Sequence, residues 1–187
     1  MTECEEVQNK LNQLCPEFLA GVKIIREELV NLSPSWSCWS PSLCGACAVS
    51  AYLVFRYAKK IGLETVFVYC PGHCYTLVEG FVVDLTATQF FAFYPSSSKS
   101  LQMLNDDKVL LVKDFKSLCE DFDDYKPEKF LRSSEDIFDA TSEWPAGQKP
   151  VWFLNRVRYS VLKNLKDKLG LRLERIKRKR KVQKKCA

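Results

Sequence analysis

A mixed α+β domain is predicted by three features of this 187-residue chain. Residues 46–61 read as a helix with almost no polar face, which marks it as central and buried. Three β-rich segments follow at hairpin spacing, 65–69, 73–78 and 81–85. Hydrophobic residues make up 47% of the chain and aromatic residues 12%, enough to build a core and too many for wholesale disorder. The length suits one compact domain with an extension, placed at 1–155 and 156–187.

Each element has a local reason. Residues 3–14 read weakly as helix. Pro16 suits a first helical turn, and Phe18, Leu19, Val22, Ile25 and Leu29 recur at helical spacing until Asn31 and Pro34 end the pattern. Residues 33–42 form a loop rich in Ser and Pro that also carries Trp36 and Trp39, either as a lid on the core or as part of a cleft. In the 46–61 helix, Arg56, Lys59 and Lys60 complement the dipole of the last turns, and Gly62 is a natural stop. The segment Thr65-Val-Phe-Val-Tyr69 is β-branched and aromatic, Pro71-Gly72 breaks it, and Glu79-Gly80 turns the next strand back. Residues 109–112 read as another strand, 120–124 as a solvated loop or helix start, and 151–169 as a helix with Val161, Leu165 and Leu169 on one stripe.

Charge is divided along the chain. The net charge is +5, but residues 156–185 alone carry +12 and residues 1–155 carry −7. A mildly acidic domain therefore bears a basic helical tail. Nine cysteines, an odd number with no framework spacing, point to reduced thiols. The first 30 residues lack a signal peptide's basic start and apolar middle, and no apolar run approaches the roughly 20 residues of a membrane span. The expected location is intracellular, cytoplasmic or in a eukaryotic cell nuclear, with export by a route without such a signal as the alternative.

Cys44-Gly-Ala-Cys47 opens the buried helix. A thiolate at a helix N-terminus is stabilised by unpaired N–H groups and the dipole, and the same N–H groups suit an oxyanion. A nucleophilic Cys then needs a base, usually His, and that His needs an orienting acceptor. The sequence holds one His, His73. If Glu79-Gly80 is a two-residue turn, Val78 faces Phe81 and Tyr75 faces Asp84. His73 then lies diagonal to Asp84 on the same face, within side-chain reach. A longer turn would put the two on opposite faces.

These residues resemble the papain-like/transglutaminase-like cysteine fold, in which a Cys-bearing helix packs on a sheet that supplies His and then Asp or Asn. Cys44-Gly-Ala-Cys47-Ala48 is similar to the Cys-Gly-Ser-Cys-Trp signature of papain-type proteases. The short interval from Cys47 to His73, and Gly72-His73 through Val83-Asp84-Leu-Thr-Ala-Thr-Gln89-Phe90, resemble the transglutaminase-like side. The resemblance covers residues 40–91. It implies an antiparallel sheet beneath the buried helix, with Cys47 as nucleophile, His73 as base and Asp84 as orienting acid. It further implies acyl transfer at carboxamides or peptide bonds through a thioester: a peptidase, amidase, deamidase or transamidase acting on protein or peptide, with no cofactor. Papain-type enzymes place a Gln six residues before the nucleophile for the oxyanion, and this chain has Pro41 there. Trp36, Trp39 or backbone N–H would have to substitute.

Other readings use the same residues. Cys44 is the alternative nucleophile. Thr86 and Gln89 either support the pair or serve simple turn chemistry. Cys44, Cys47, Cys70 and His73 have the residue types and pair spacing of a Cys3His zinc set, and Cys44-x2-Cys47 has that of a redox pair. A non-catalytic or zinc-stabilised binding protein is the rival from another class. In the tail, residues 178–185 read as a solvated end, an import-receptor signal, or a contact for nucleic acid or anionic membrane.

Overall fold

The computed structural model describes residues 16–32, 43, 45–90, 109–112, 115–145, 148–156 and 159–170. The expected 3–14 helix, the loop carrying Trp36 and Trp39, Pro41, Cys44 and residues 171–187 lie outside them. The fold is α+β with an antiparallel sheet.

Helix α1 spans Pro16–Leu32, and helix α2 spans Cys47–Lys60. Phe18, Val22, Ile25 and Leu29 form the buried stripe of α1. Helix α2 is buried from Cys47 through Phe55 and again at Tyr57 and Ala58, as a helix without a polar face must be. The two helices approach closely at Gly21, where a Cβ would stand 2.0 Å from the Tyr57 ring. That ring stacks on Phe18 with centroids 6.2 Å apart, and its hydroxyl donates to the Glu17 carbonyl at 2.8 Å.

Strands β1 (Thr65–Cys70), β2 (His73–Val78), β3 (Phe81–Asp84), β4 (Leu110–Val112) and β5 (Lys129–Leu131) form one sheet in the order β4-β3-β2-β1-β5. Every neighbouring pair is antiparallel. Helix α2 packs on β1, β2 and β3, and the Thr76 hydroxyl donates to the Ala51 carbonyl at 2.8 Å, tying strand to helix. The other sheet face is also covered. Val68, Cys70, Tyr75 and Val82 bury there against Leu118, Phe122 and Tyr125. Helix α3 (Phe115–Asp121) and a 3-10 turn at Asp123–Tyr125 supply that cover. Residues 120–124, read as a solvated loop or helix start, are thus the end of α3 and the beginning of this turn.

Strand β5 and helix α4 (Ser134–Ala140) are too short to show an apolar period. The three residues of β5 are too few to show alternation, and pairing with β1 makes them a strand. Helix α4 begins at a Ser133 cap, whose oxygen accepts from the Asp136 N–H at 3.1 Å. The stretch expected to be helical over 151–169 is helical at Pro150–Arg156 (α5) and Tyr159–Leu169 (α6), and residues 157–158 lie outside the described residues. Leu162, Leu165 and Leu169 of α6 join the main core, and Lys168 and Asn164 bond Glu28 of α1 at 2.5 and 3.0 Å. The basic segment that begins at residue 156 is therefore tied to the core as far as Leu169.

Candidate active site

Two turns and one helix start bring the candidate residues together. Glu79 and Gly80 both have positive φ, 51° and 79°, the backbone of a two-residue hairpin turn whose twist matches the strands. Val78 therefore pairs with Phe81, Leu77 with Val82 and Thr76 with Val83. Continuing that ladder sets Tyr75 across from Asp84 and His73 on the diagonal. At the other end of β2, Gly72 at φ +82° closes the turn that pairs Cys70 with His73.

His73 Nε2 donates to Asp84 Oδ2 at 2.9 Å. Both side chains are 1% exposed. Because a carboxylate only accepts, Nε2 carries a proton in either state of the ring, and Nδ1 is the nitrogen that gains or loses one. The Cys47 side chain lies near enough to the imidazole to favour its charged form. Gln89 Nε2 lies 3.3 Å from Nδ1 and also donates to the Thr86 hydroxyl at 3.3 Å.

Asp84 is held by more than His73. Its Oδ1 accepts from the Thr86 N–H at 2.7 Å and the Thr86 hydroxyl at 2.8 Å. Its Oδ2 also accepts from the Tyr125 hydroxyl at 2.5 Å. The Thr86 bonds are turn chemistry and support of the pair at once. Tyr125 carried no sequence signal. It lies 41 residues beyond Asp84 in an acidic stretch, and only the packing of the 3-10 turn on the sheet brings it here.

These contacts set the protonation states. Burial opposes charge on His73, but the charge and hydrogen bond of Asp84, joined by Cys47, raise it to about 10. Burial likewise pushes the Asp84 carboxyl up, and His73, the Tyr125 hydroxyl and the Thr86 amide outweigh it, so the carboxyl lies below its ordinary range. The neighbouring thiols differ. Burial raises Cys70 to about 12 and, with the field of Cys47, pushes Cys74 well above its usual range. Both therefore stay protonated and unreactive near neutral pH.

Cys47 is the first residue of α2, 2% exposed and with a free thiol. The helix opens without a side-chain cap at Ala46, and its ladder begins with Ser50 N–H donating to the Ala46 carbonyl at 2.9 Å. The amides of Cys47, Ala48 and Val49 thus precede the first intrahelical bond, beside the Cys47 sulfur. Among the described residues, no three His, Cys, Asp or Glu side chains are grouped to hold a metal ion. Cys44, which the zinc, redox and alternative-nucleophile readings require, lies outside the described residues. No helix among them is long and apolar enough to cross a membrane.

No family model, curated protein or solved structure matches the chain.

Proposed function

We propose that the protein is a thiol-dependent acyl-transfer enzyme of the papain-like/transglutaminase-like kind, acting on a carboxamide or peptide bond of a protein or peptide. The observation that carries this reading is the buried chain from Cys47 through His73 to Asp84, with the His–Asp bond at 2.9 Å. A cysteine, an imidazole and an orienting carboxylate in line are what nucleophilic catalysis at a carbonyl requires.

The steps follow from the atoms present. Cys47 Sγ attacks the carbonyl carbon as the thiolate, with its proton already on Nδ1 of the imidazolium that Asp84 stabilises. The carbonyl π pair moves to oxygen, beside the leading amides of α2. The tetrahedral species collapses as the C–N bond breaks, and Nδ1–H gives its proton to the departing amine. A thioester remains. Water or a second amine then attacks it and loses its proton to Nδ1 as the C–S bond breaks, and the sulfur leaves as the thiolate, restoring the starting pair with the imidazolium. Asp84 keeps the Nε2–H bond throughout and fixes the ring plane.

Covalent labelling of the full chain by a thiol-reactive amide mimic tests this reading. Cys47→Ala should abolish the label and Cys44→Ala should leave it. Persistence on the Cys47 variant with loss on the Cys44 variant would move the nucleophile to Cys44.

A further inference from the structure

We propose that Tyr125 is a positioning residue for the His73–Asp84 pair, locking the carboxylate in place and sharing the oxygen that faces the imidazole. This role rests on the thiol-enzyme reading of the same site.

A carboxylate has about four acceptor positions, and Asp84 has one donor for each. Thr86 fills Oδ1 through its amide and hydroxyl, at 2.7 and 2.8 Å. Tyr125 and His73 fill Oδ2, at 2.5 and 2.9 Å. Rotation of the carboxylate would break bonds at both oxygens together. Without the Tyr125 hydroxyl, His73 alone would hold Oδ2, and the imidazole would have to fix the group meant to fix it.

Tyr125 also reaches the other member of the pair. Its ring stands edge-on to His73, with centroids 5.2 Å apart and planes at 68°. One side chain thus contacts the carboxylate through oxygen and the imidazole through carbon. The residue is itself held rigidly. Its carbonyl accepts from the Tyr75 hydroxyl at 2.8 Å and from Cys119 Sγ at 3.1 Å. Its ring packs on Tyr75 at 5.2 Å and on Phe122 at 6.1 Å. Burial, reinforced by the Asp84 charge, keeps the phenol protonated and therefore a donor. A donor on Oδ2 draws charge from that oxygen, which moderates its pull on the Nε2 proton.

The single His of the chain makes the test direct, because one imidazole gives one set of resonances. The full-length protein labelled with 15N-histidine is compared with Tyr125→Phe, which keeps the ring and removes the hydroxyl. At neutral pH the Nε2–H resonance should move downfield, as the Asp84 charge concentrates on it. On acidification the pH at which that resonance is lost should rise by about one unit, a tenfold change in proton affinity, because the carboxylate has lost a donor. Either readout left at its wild-type value in a folded variant overturns the role. If the Phe variant does not fold, the wild-type protein decides. A slowly exchanging Tyr125 hydroxyl proton with a cross-peak to the His73 ring supports the role, and its absence overturns it. These readouts need no catalysis. Failure of the enzyme reading appears separately, as labelling that survives both Cys47→Ala and Cys44→Ala.

Discussion

At Asp84 a single buried carboxylate stabilises an imidazole that burial would otherwise keep neutral. Asp84→Asn preserves shape and removes the charge. The His73 midpoint should then fall well below about 10, since of the groups that oppose desolvation only Cys47 keeps its effect. Removing one partner of a buried pair typically costs about 3–5 kcal/mol, so the urea midpoint should fall as well. NMR titration of the single imidazole reads the first effect and equilibrium unfolding the second. At this scale much was legible in the sequence. His73 and Asp84 could be paired on paper because the side-chain period of a strand is two and the Glu79-Gly80 turn fixes the register. Tyr125 could not, because no local pattern relates residues 41 positions apart.

Among the elements, α2 positions the site. Its apolar surface forces it into the middle of the fold, which sets its N-terminus, and with it Cys47, against the end of β2. One constraint on its placement is the close approach of α1 at Gly21. A methyl there meets the Tyr57 ring, which is held by Phe18 and by the Glu17 carbonyl and has little freedom to yield. Gly21→Ala should cost about 1–3 kcal/mol, the usual penalty of overpacking, and thermal unfolding should show it as a lower midpoint. Helix α1 could be read from its apolar period and α2 from an apolar run with almost no polar face. Strand β5 and helix α4 could not. One is three residues long and the other seven, too short for a period to emerge.

The whole molecule should be most stable in mildly acidic solution. The folded-state pKa of His73 lies above its unfolded value, so its contribution is complete below about 6.5 and is lost as pH rises toward 10. Above about 9 the buried thiols Cys70 and Cys74 act in the same direction, since the unfolded chain releases protons that the folded chain keeps. Asp84, whose folded pKa is depressed, contributes above about 3.8 and loses that contribution as pH falls. Urea midpoints measured from pH 3 to pH 10 should therefore form a plateau between about 4 and 6.5 with losses on both sides. A maximum at pH 8 or above would contradict the protonation states assigned to the pair. The sequence by itself determined the buried Cys-bearing helix and the hairpin, and it put His73 and Asp84 on one face on condition of a two-residue turn, because these follow from apolar runs, alternation and turn geometry over short spans. Only the tertiary structure decided what closes the second face of the sheet, that α6 docks on α1, and that Tyr125 shares the carboxylate with His73. Those outcomes depend on which distant surfaces bury each other, and burial between distant segments leaves no period in the chain.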